Sequence, residues 1–275
     1  MRTLSSGSLW KLIGLSAVIS TLLLLAGFGY AVKDMLHPKG EAFEGTAAVP
    51  ALPASGKLSE AKEISITAIG DSLTKGTGDA TGEGYVKQTI ALLAKKYPDA
   101  DVRLNNNLAV NGLKAERLVR LLETDKGYRY ALMQSNVILF TIGGNDLFQI
   151  AAGSSANKKA DELDLNKLKA ELPQGLNQLA KVTKLLHDIN PNAHVVYVGL
   201  YNPFYDIPDF RAGSLQIQAW NEQAYALLHQ YGNMSMVPTF DLFEQTIGRY
   251  LSSDHFHPNH IGYAQIASRI AQSLE

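Results

Sequence analysis

The chain contains no cysteine among its 275 residues. Disulfide bonds, thiolate nucleophiles and cysteine-ligated metal sites are therefore excluded. An excess of one charge is also missing, because 25 basic residues are matched by 26 acidic ones. A nucleic-acid-binding protein usually has a clustered basic excess, so the composition predicts no nucleic-acid partner. The lack of cysteine fits either redox compartment and does not choose between them.

One long uncharged stretch lies near the N-terminus, from Leu12 to Val32. About 20 apolar residues are enough to span the hydrocarbon core of a bilayer. Arg2 and Lys11 precede the stretch, and basic residues before a span favour a cytoplasmic N-terminus and an exported remainder. We predict a membrane anchor within residues 1–36 and a domain that faces outside the cytoplasm.

A cleaved signal peptide is the alternative interpretation of the same stretch. Gly29-Tyr30-Ala31 places small residues at the two positions that a signal peptidase reads. The domain would then be secreted instead of anchored. Residues 37–59, which are rich in Pro, Gly, Ala and Ser, show no sustained periodicity and are predicted to be a flexible linker.

Residues 60–275 are predicted to form one α/β domain without internal repeats. Strand character is found at Glu63–Ile69, Asp101–Asn107, Asn136–Ile142, His194–Leu200 and Met234–Pro238. Helical periodicity is found at Tyr85–Tyr97, Leu113–Glu123, Leu163–Ile189 with a break near Pro173, Leu215–Tyr231 and Ile261–Leu274. Five strands alternating with helices predict a doubly wound parallel sheet with right-handed crossovers.

Three small or polar residues follow predicted strands and should meet at one edge of this sheet. Ser72 follows the first strand, Gly112 the second and Asn145 the third. Ligands of such sheets bind beyond the carboxyl ends of the strands, so this edge is the expected functional site.

Ser72, Asp254 and His257 could form a nucleophile, an orienting carboxylate and a base. A serine hydroxyl becomes a good nucleophile when a neighbouring base takes its proton and a third group orients that base. Asp254 and His257 are three residues apart, which places both side chains on one side of a helical or 3₁₀ turn. The alternative for Ser72 is a plain helix N-cap.

Gly112 and Asn145 are candidates for stabilising a developing oxyanion. The bare backbone N–H of Gly112 could approach an oxyanion, although Asn111-Gly112 is equally a turn signal. Asn145 follows Gly143-Gly144 and offers side-chain N–H donors. A turn followed by a helix N-cap is the alternative there.

Three histidines, His255, His257 and His260, lie within six residues of one another. A tetrahedral metal site usually needs paired ligands from a second cluster, which the sequence lacks, so we predict neither a metal nor another cofactor. Pro258 is predicted to be the first residue of the final helix. His255 and His260 are expected on the surface or behind the site.

Taken together, the four segments resemble the SGNH or GDSL-type esterases and lipases. The matching blocks are Gly-Asp-Ser-Leu at 70–73, the glycine of Val-Asn-Gly at 110–112, Gly-Gly-Asn-Asp at 143–146 and Asp-x-x-His-Pro-Asn at 254–259. They occur in the family's order and span almost the whole predicted domain. The Gly-x-Ser-x-Gly motif of the larger α/β-hydrolases is absent, because Thr74 stands two residues after Ser72.

The resemblance implies a flavodoxin-like α/β/α sandwich and a catalytic triad. Ser72 would be the nucleophile, His257 the general base and Asp254 the orienting carboxylate. The backbone N–H groups of Ser72 and Gly112 and the amide of Asn145 would form the oxyanion hole. The chain is most similar to secreted or membrane-anchored bacterial acylhydrolases, which implies a small-molecule or lipid ester as substrate.

Two other functions remain open at this stage. The same triad could transfer an acyl or acetyl group to an alcohol, or remove acetyl groups from sugars. A tethered binding domain that has lost catalysis is the non-enzymatic alternative, and the complete set of four polar residues argues against it. The loop from Ala151 and the segment Tyr201–Arg211 are expected to shape the substrate pocket, although their aromatic residues could simply pack together.

Overall fold

The computed structural model describes residues 6–36, 57–151 and 165–274. The chain divides into two compact units, Met1–Pro50 and Ala51–Glu275. Most of the predicted linker and most of the predicted loop from Ala151 to Leu165 lie outside the described residues.

The described part of the first unit is one helix, α1, which runs from Ser6 to Leu36. Its segment Ile13–Lys33 has a mean hydropathy of 2.0 and is long and apolar enough to cross a membrane. A signal sequence would satisfy the same criteria of length and composition. An N-terminal apolar helix is therefore present, as predicted.

The second unit is built on five parallel strands in the order β2-β1-β3-β4-β5. The strands are β1 Glu63–Gly70, β2 Asp101–Asn107, β3 Val137–Thr141, β4 His194–Val198 and β5 Met234–Val237. This is the flavodoxin-like strand order, in which the topology switches direction between β1 and β3. All five strands lie within about two residues of their predicted bounds. The strands β1, β3 and β4 are largely apolar and buried on both faces, whereas β2 at the edge alternates between exposed and half-buried residues.

Helices cover both faces of the sheet. They are α2 Ser72–Lys75, α3 Gly84–Lys96, α4 Ala115–Thr124, α5 Lys126–Met133, α6 Gly144–Ala151, α7 Leu165–Ile189, α8 Pro208–Arg211, α9 Ser214–Leu228, α10 Phe240–Glu244, α11 Ile247–Tyr250 and α12 His260–Ser273. Alternate residues of β3 point to opposite faces: Ile138 and Phe140 pack with α4, α5, α7 and α9, whereas Val137 and Leu139 pack with α3 and α12. The predicted α/β/α sandwich is confirmed.

The predicted break near Pro173 is wrong, because α7 runs through the proline as one helix. Proline removes one backbone hydrogen bond from a helix, which bends it more often than it ends it. Leu168, Leu172, Leu176 and Leu179 form one buried stripe on both sides of the proline, and this packing carries the helix through.

Leu58 is buried at the start of the second unit, within the last residues of the predicted linker. It belongs to a 3₁₀ helix, Leu58–Glu60, and packs in the core between the sheet and the layer of α3 and α12. Among the described residues, the packing of the second unit thus begins at Leu58.

Candidate active site

Ser72 lies at the point where β1 passes into α2. Gly70 ends the strand with a φ of 120°, and a Cβ there would lie 2.0 Å from the carbonyl oxygen of Thr141 on β3. Only glycine fits such a close approach. Asp71 is the N-cap of α2 and accepts the backbone N–H of Leu73 at 3.1 Å. Ser72 is consequently the first residue of a short helix at the carboxyl end of the sheet.

Ser72, His257 and Asp254 form a continuous hydrogen-bonded chain. The Oγ of Ser72 lies 2.8 Å from Nε2 of His257, and Nδ1 of His257 lies 2.7 Å from Oδ2 of Asp254. A carboxylate can only accept, so Nδ1 carries the imidazole proton. Nε2 is then the acceptor for the serine hydroxyl, which is the tautomer that a general base requires.

Asp254 is held in its ionised form by its hydrogen bonds. Partial burial disfavours the charge, but donors from His257, Ser252 and the N–H of Phe256 outweigh it and hold the pKa of Asp254 well below its usual value. Oδ1 accepts from Ser252 Oγ at 2.7 Å and from the N–H groups of Phe256 and His257 at 2.9 Å each. Asp254 is thus a carboxylate with a fixed direction.

The segment that carries Asp254 and His257 is a closed loop instead of the predicted helical or 3₁₀ turn. Its ends are joined by the N–H of Ser252, which donates to the carbonyl of His257 at 2.8 Å, and by a bridge between Leu251 and Pro258. The side chain of Asp254 caps the N–H groups of this loop, which replaces the hydrogen bonds of a helix.

The final helix begins at His260 instead of Pro258, and Asn259 is its N-cap. The Oδ1 of Asn259 accepts the N–H of Gly262 at 3.0 Å. Its Nδ2 donates to the carbonyls of Arg249 at 2.8 Å and Leu251 at 3.0 Å. Because the side chain of Asn259 satisfies a free helix N–H, the N-cap lies at Asn259 and the helix begins after Pro258.

The two other histidines of this segment have carboxylate partners outside the triad. His255, with a φ of 54°, places Nε2 3.1 Å from Oδ1 of Asp206. His260 places Nδ1 3.4 Å from Oδ2 of Asp79. In the described part of the chain, no group of three or more acidic residues or histidines is placed to hold a metal ion. That the protein needs no metal stays a prediction.

A glycine-containing loop after α2 supports His257. This loop was not identified from the sequence. A Cβ at Gly78 would lie 2.7 Å from Cβ of His257 and from the carbonyl oxygen of Pro258, and its φ is 93°. Asp79 fixes the loop by accepting from the N–H groups of Thr81 and Gly84 at 2.9 Å each. Burial opposes the charge on Asp79, but these hydrogen bonds hold its pKa below the usual value.

A buried polar chain supports Ser72 from below. Thr141 on β3 donates to Oδ1 of Asp71 at 2.6 Å, its hydroxyl lies 2.7 Å from that of Thr74, and Thr74 lies 2.6 Å from the hydroxyl of Tyr85. Burial raises the pKa of Asp71 above its usual value, although the hydrogen bonds from Thr141 and Leu73 oppose this. Only Asp71 could have been noticed in the sequence, as part of the Gly-Asp-Ser-Leu block.

Asn145 lies in the first turn of α6 and lines the same cleft as Ser72. Its Nδ2 donates to the carbonyl of Leu113 at 3.1 Å, and both oxygens of Asp146 accept the N–H of Ala115 at 3.1 Å. Two successive residues thus bind α6 to the start of α4. Burial is the main cause that raises the pKa of Asp146 to about 6.

Gly112 lies in a turn between β2 and α4. The N–H of Leu113 donates to the carbonyl of Val110 at 3.1 Å, and Gly112 has a φ of 72°, so the turn signal of Asn111-Gly112 is confirmed. Gly112 is not among the described residues that line the cleft beside Ser72. The carbonyl of the next residue, Leu113, accepts from Asn145, and the role of Gly112 as an oxyanion donor stays a prediction.

A small apolar cleft with a volume of about 20 Å³ opens beside Ser72. Its lining comes from the segments that follow β1, β3 and β4 and from the loop Leu251–Pro258 that carries Asp254 and His257, called the triad loop below: Asp71, Ser72, Leu73, Gly144, Asn145, Phe148, Leu200, Tyr201, Pro203 and Phe256. Tyr201 and Pro203 belong to the segment that was expected to shape the pocket. The hydroxyl of Tyr201 donates to the carbonyl of Phe256 at 2.7 Å, which joins that segment to the triad loop.

Comparison with known proteins finds relatives along most of the chain. The uncharacterized protein YpmR of Bacillus subtilis (strain 168) is 31% identical over 219 residues, which cover 78% of this chain and 82% of YpmR. The lipase Lip_vut3 from a goat rumen metagenome has a similar structure, with a TM-score of 0.66 and 24% identity over 77% of this chain and all of that one. A family 3 carbohydrate esterase from Clostridium thermocellum has a TM-score of 0.54 and 18% identity, with 78% of this chain and 99% of that chain covered.

The two structural neighbours bear on the fold alone at these identities. Residues 68–265 match the GDSL-like lipase/acylhydrolase family. The matched range includes the segment with Ser72 and the segment with His257. This chain therefore belongs to the GDSL-like lipase/acylhydrolase family.

Proposed function

We propose that this protein is a serine ester hydrolase that cleaves carboxylic esters through an acyl-enzyme. The observation that carries the proposal is the hydrogen-bonded chain from Ser72 Oγ to His257 Nε2 and from His257 Nδ1 to Asp254 Oδ2. A binding domain without catalysis would gain nothing from an ionised carboxylate aimed at an imidazole that is aimed at a serine.

In the first half-reaction, His257 takes the hydroxyl proton of Ser72 while Oγ attacks the ester carbonyl carbon. Asp254 keeps Nδ1 protonated and stabilises the imidazolium that forms. His257 then donates its Nε2 proton to the leaving alkoxide, and the alcohol departs. In the second half-reaction, water attacks the acyl-enzyme with His257 again as the base, and the carboxylic acid is released.

The negative charge that develops on the carbonyl oxygen needs donors near Ser72. We assign this role to the N–H groups of Ser72 and Gly112 and to the side-chain amide of Asn145. The position of Asn145 in the cleft, next to Ser72, supports its part in this assignment. Donors that are fixed before the reaction stabilise charge without reorganisation, which is the main source of catalysis in such sites.

The proposal is tested with the purified second unit, a panel of chromogenic esters and an organophosphonate. Ester hydrolysis and one phosphonate adduct on the peptide that contains Ser72 are expected. Glycerol added to the assay separates hydrolysis from acyl transfer, because transfer yields a glyceryl ester in place of the free acid. Absence of both hydrolysis and adduct would refute the proposal.

Asn145→Ala is expected to reduce kcat by about 10²–10³, the usual cost of losing one oxyanion donor. The loss should fall on kcat, because the interaction is strongest in the transition state. Steady-state kinetics measures it, with Asn105→Ala as a control at an amide on β2 that is outside the cleft lining. A change confined to KM would make Asn145 a ground-state binder instead.

We also propose that the domain acts outside the cytoplasm, tethered by α1. The segment Ile13–Lys33 can span a bilayer. Trp10 and Tyr30 lie near its ends, where amphipathic rings are favoured at the interfaces, and Arg2 and Lys11 favour a cytoplasmic N-terminus. Release after cleavage near Ala31 is the variant of this proposal in which the domain is secreted.

Location is measured by applying protease to intact cells from which the wall has been stripped. The domain should be digested while a cytoplasmic marker protein survives. The mass of the N-terminal peptide in untreated cells distinguishes a retained anchor from cleavage near Ala31. Protection of the domain until lysis would show that the orientation is wrong.

A further inference from the structure

We propose that the cleft beside Ser72 holds the acyl group of the ester and admits only short acyl groups, from acetyl to butyryl. This inference rests on the ester hydrolysis proposed above and adds the substrate class. Three properties of the cleft carry it: an apolar wall, a small volume bounded on one side by aromatic rings in contact, and a separate polar surface for the alcohol.

The cleft wall is suited to hydrocarbon and offers little to a polyhydroxy group. Leu73, Phe148, Leu200, Pro203 and Phe256 supply most of it. The hydroxyl of Tyr201 is directed to the carbonyl of Phe256, and Asp71 accepts from Thr141 and Leu73. A buried polar group of a ligand needs hydrogen-bond partners, so an apolar acyl chain fits this wall better than a sugar does.

Part of the cleft wall is formed by phenylalanine rings that contact one another. Phe148 and Phe256 line the cleft and meet edge to face, with ring centroids 5.7 Å apart. Phe204 packs against both from outside the lining, at 5.9 Å from Phe148 and 6.0 Å from Phe256. Phe210 packs against Phe204 at 5.9 Å. Rings at these separations touch, so no chain passes between them without displacing one.

The alcohol has a different and more open surface. The leaving oxygen must lie beside Nε2 of His257 in order to receive its proton. His257 contacts the loop that carries Thr77 and Gly78, and Thr77 Oγ1 donates to Oδ1 of Asn111 at 3.1 Å in an exposed position. An alcohol can extend over this polar pair into solvent, so we expect the enzyme to restrict the acyl group much more than the alcohol.

Two ester series test the assignment: one varies the acyl group on p-nitrophenol from acetate to octanoate, and the other varies the alcohol of acetate esters. In the unmodified protein, kcat/KM should fall about tenfold or more for each methylene beyond butyrate, the usual size of such discrimination. Phe148→Ala should raise the hexanoate-to-acetate ratio of kcat/KM at least about tenfold. Phe148→Leu should shift it less in the same direction, and Phe148→Trp should lower the butyrate-to-acetate ratio.

Phe240→Ala is the matched control, because Phe240 is also half-buried but packs against Tyr205 outside the cleft lining. It should leave both series unchanged. Octanoate hydrolysed as well as acetate by the unmodified protein would overturn the inference. So would a Phe148→Ala enzyme that changes the alcohol series and leaves the acyl series unchanged. If the unmodified protein hydrolyses no ester of either series, ester hydrolysis itself is refuted, and the acyl assignment with it.

Discussion

Replacement of Ser72 by alanine is expected to reduce kcat by about 10⁶, the size of loss seen when a triad nucleophile is removed. Without Oγ no acyl-enzyme can form, and only the oxyanion donors and substrate binding remain to accelerate the reaction. The change is measured with a chromogenic short-chain ester. Substrate binding should change little, since the cleft wall is retained.

Ser135→Ala is the control for this variant. Ser135 is fully buried and lies just before β3, at the opposite end of the sheet from Ser72. Its hydroxyl oxygen lies 2.6 Å from the hydroxyl of Thr67 and 2.9 Å from the carbonyl oxygen of Ala131. The Ser135→Ala variant should fold and keep its activity. That result would show that loss of a buried serine hydroxyl does not by itself inactivate the protein. A Ser72→Ala enzyme with near-normal activity would disprove the proposed nucleophile.

Asp254→Asn is expected to lower kcat by about 10³–10⁴, comparable with the loss found when a triad carboxylate becomes an amide. The amide N–H₂ can donate to Nδ1 of His257 and so favours the tautomer with the proton on Nε2. That proton points at Ser72, and the imidazole can no longer accept the hydroxyl hydrogen. The protein should still fold, because the amide oxygen can keep accepting the N–H groups of Phe256 and His257.

Asp241→Asn tests whether any carboxylate with a lowered pKa would behave in this way. Hydrogen bonds from Arg269 are the main cause that lowers the pKa of Asp241. Asp241 lies on α10 and is outside the cleft lining. Its variant should keep its activity within about threefold. An Asp254→Asn enzyme that does the same would remove Asp254 from the proposed triad.

The strands β1, β3 and β4 were predictable because they are buried on both faces and therefore read as largely apolar runs. The helix α5, Lys126–Met133, was missed, since a short amphipathic helix next to α4 has no strong period of its own. The helix boundaries predicted at Pro173 and Pro258 were wrong for one shared reason. Local rules for proline give a probable helix boundary, and tertiary packing or a better cap nearby overrides them.

The grouping of Ser72, Asp254 and His257 was predictable from their residue types, from the spacing of Asp254 and His257, from the place of Ser72 after a strand and from the family resemblance. Its supports were not, because Gly78, Asp79 and Thr141 act through contacts with residues distant in sequence. Gly78 and His257 are in contact although most of the domain's sequence separates them. In the sequence, Gly78 shows nothing more than a glycine in a loop. The path of the triad loop was unpredictable too, since the side chain of Asp254, and not a backbone pattern, organises it.

Asn259 couples the position of His257, the proposed base, to the stability of α12. The same amide group caps α12 and ties down the chain on the other side of the triad loop, two residues from His257. If α12 frays from its first turn, this tie is lost and Nε2 leaves the range of Ser72 while the sheet is still intact. On heating, enzyme activity should therefore be lost at a lower temperature than the fold of the domain. Loss of activity would then report local unfolding of the first turn of α12.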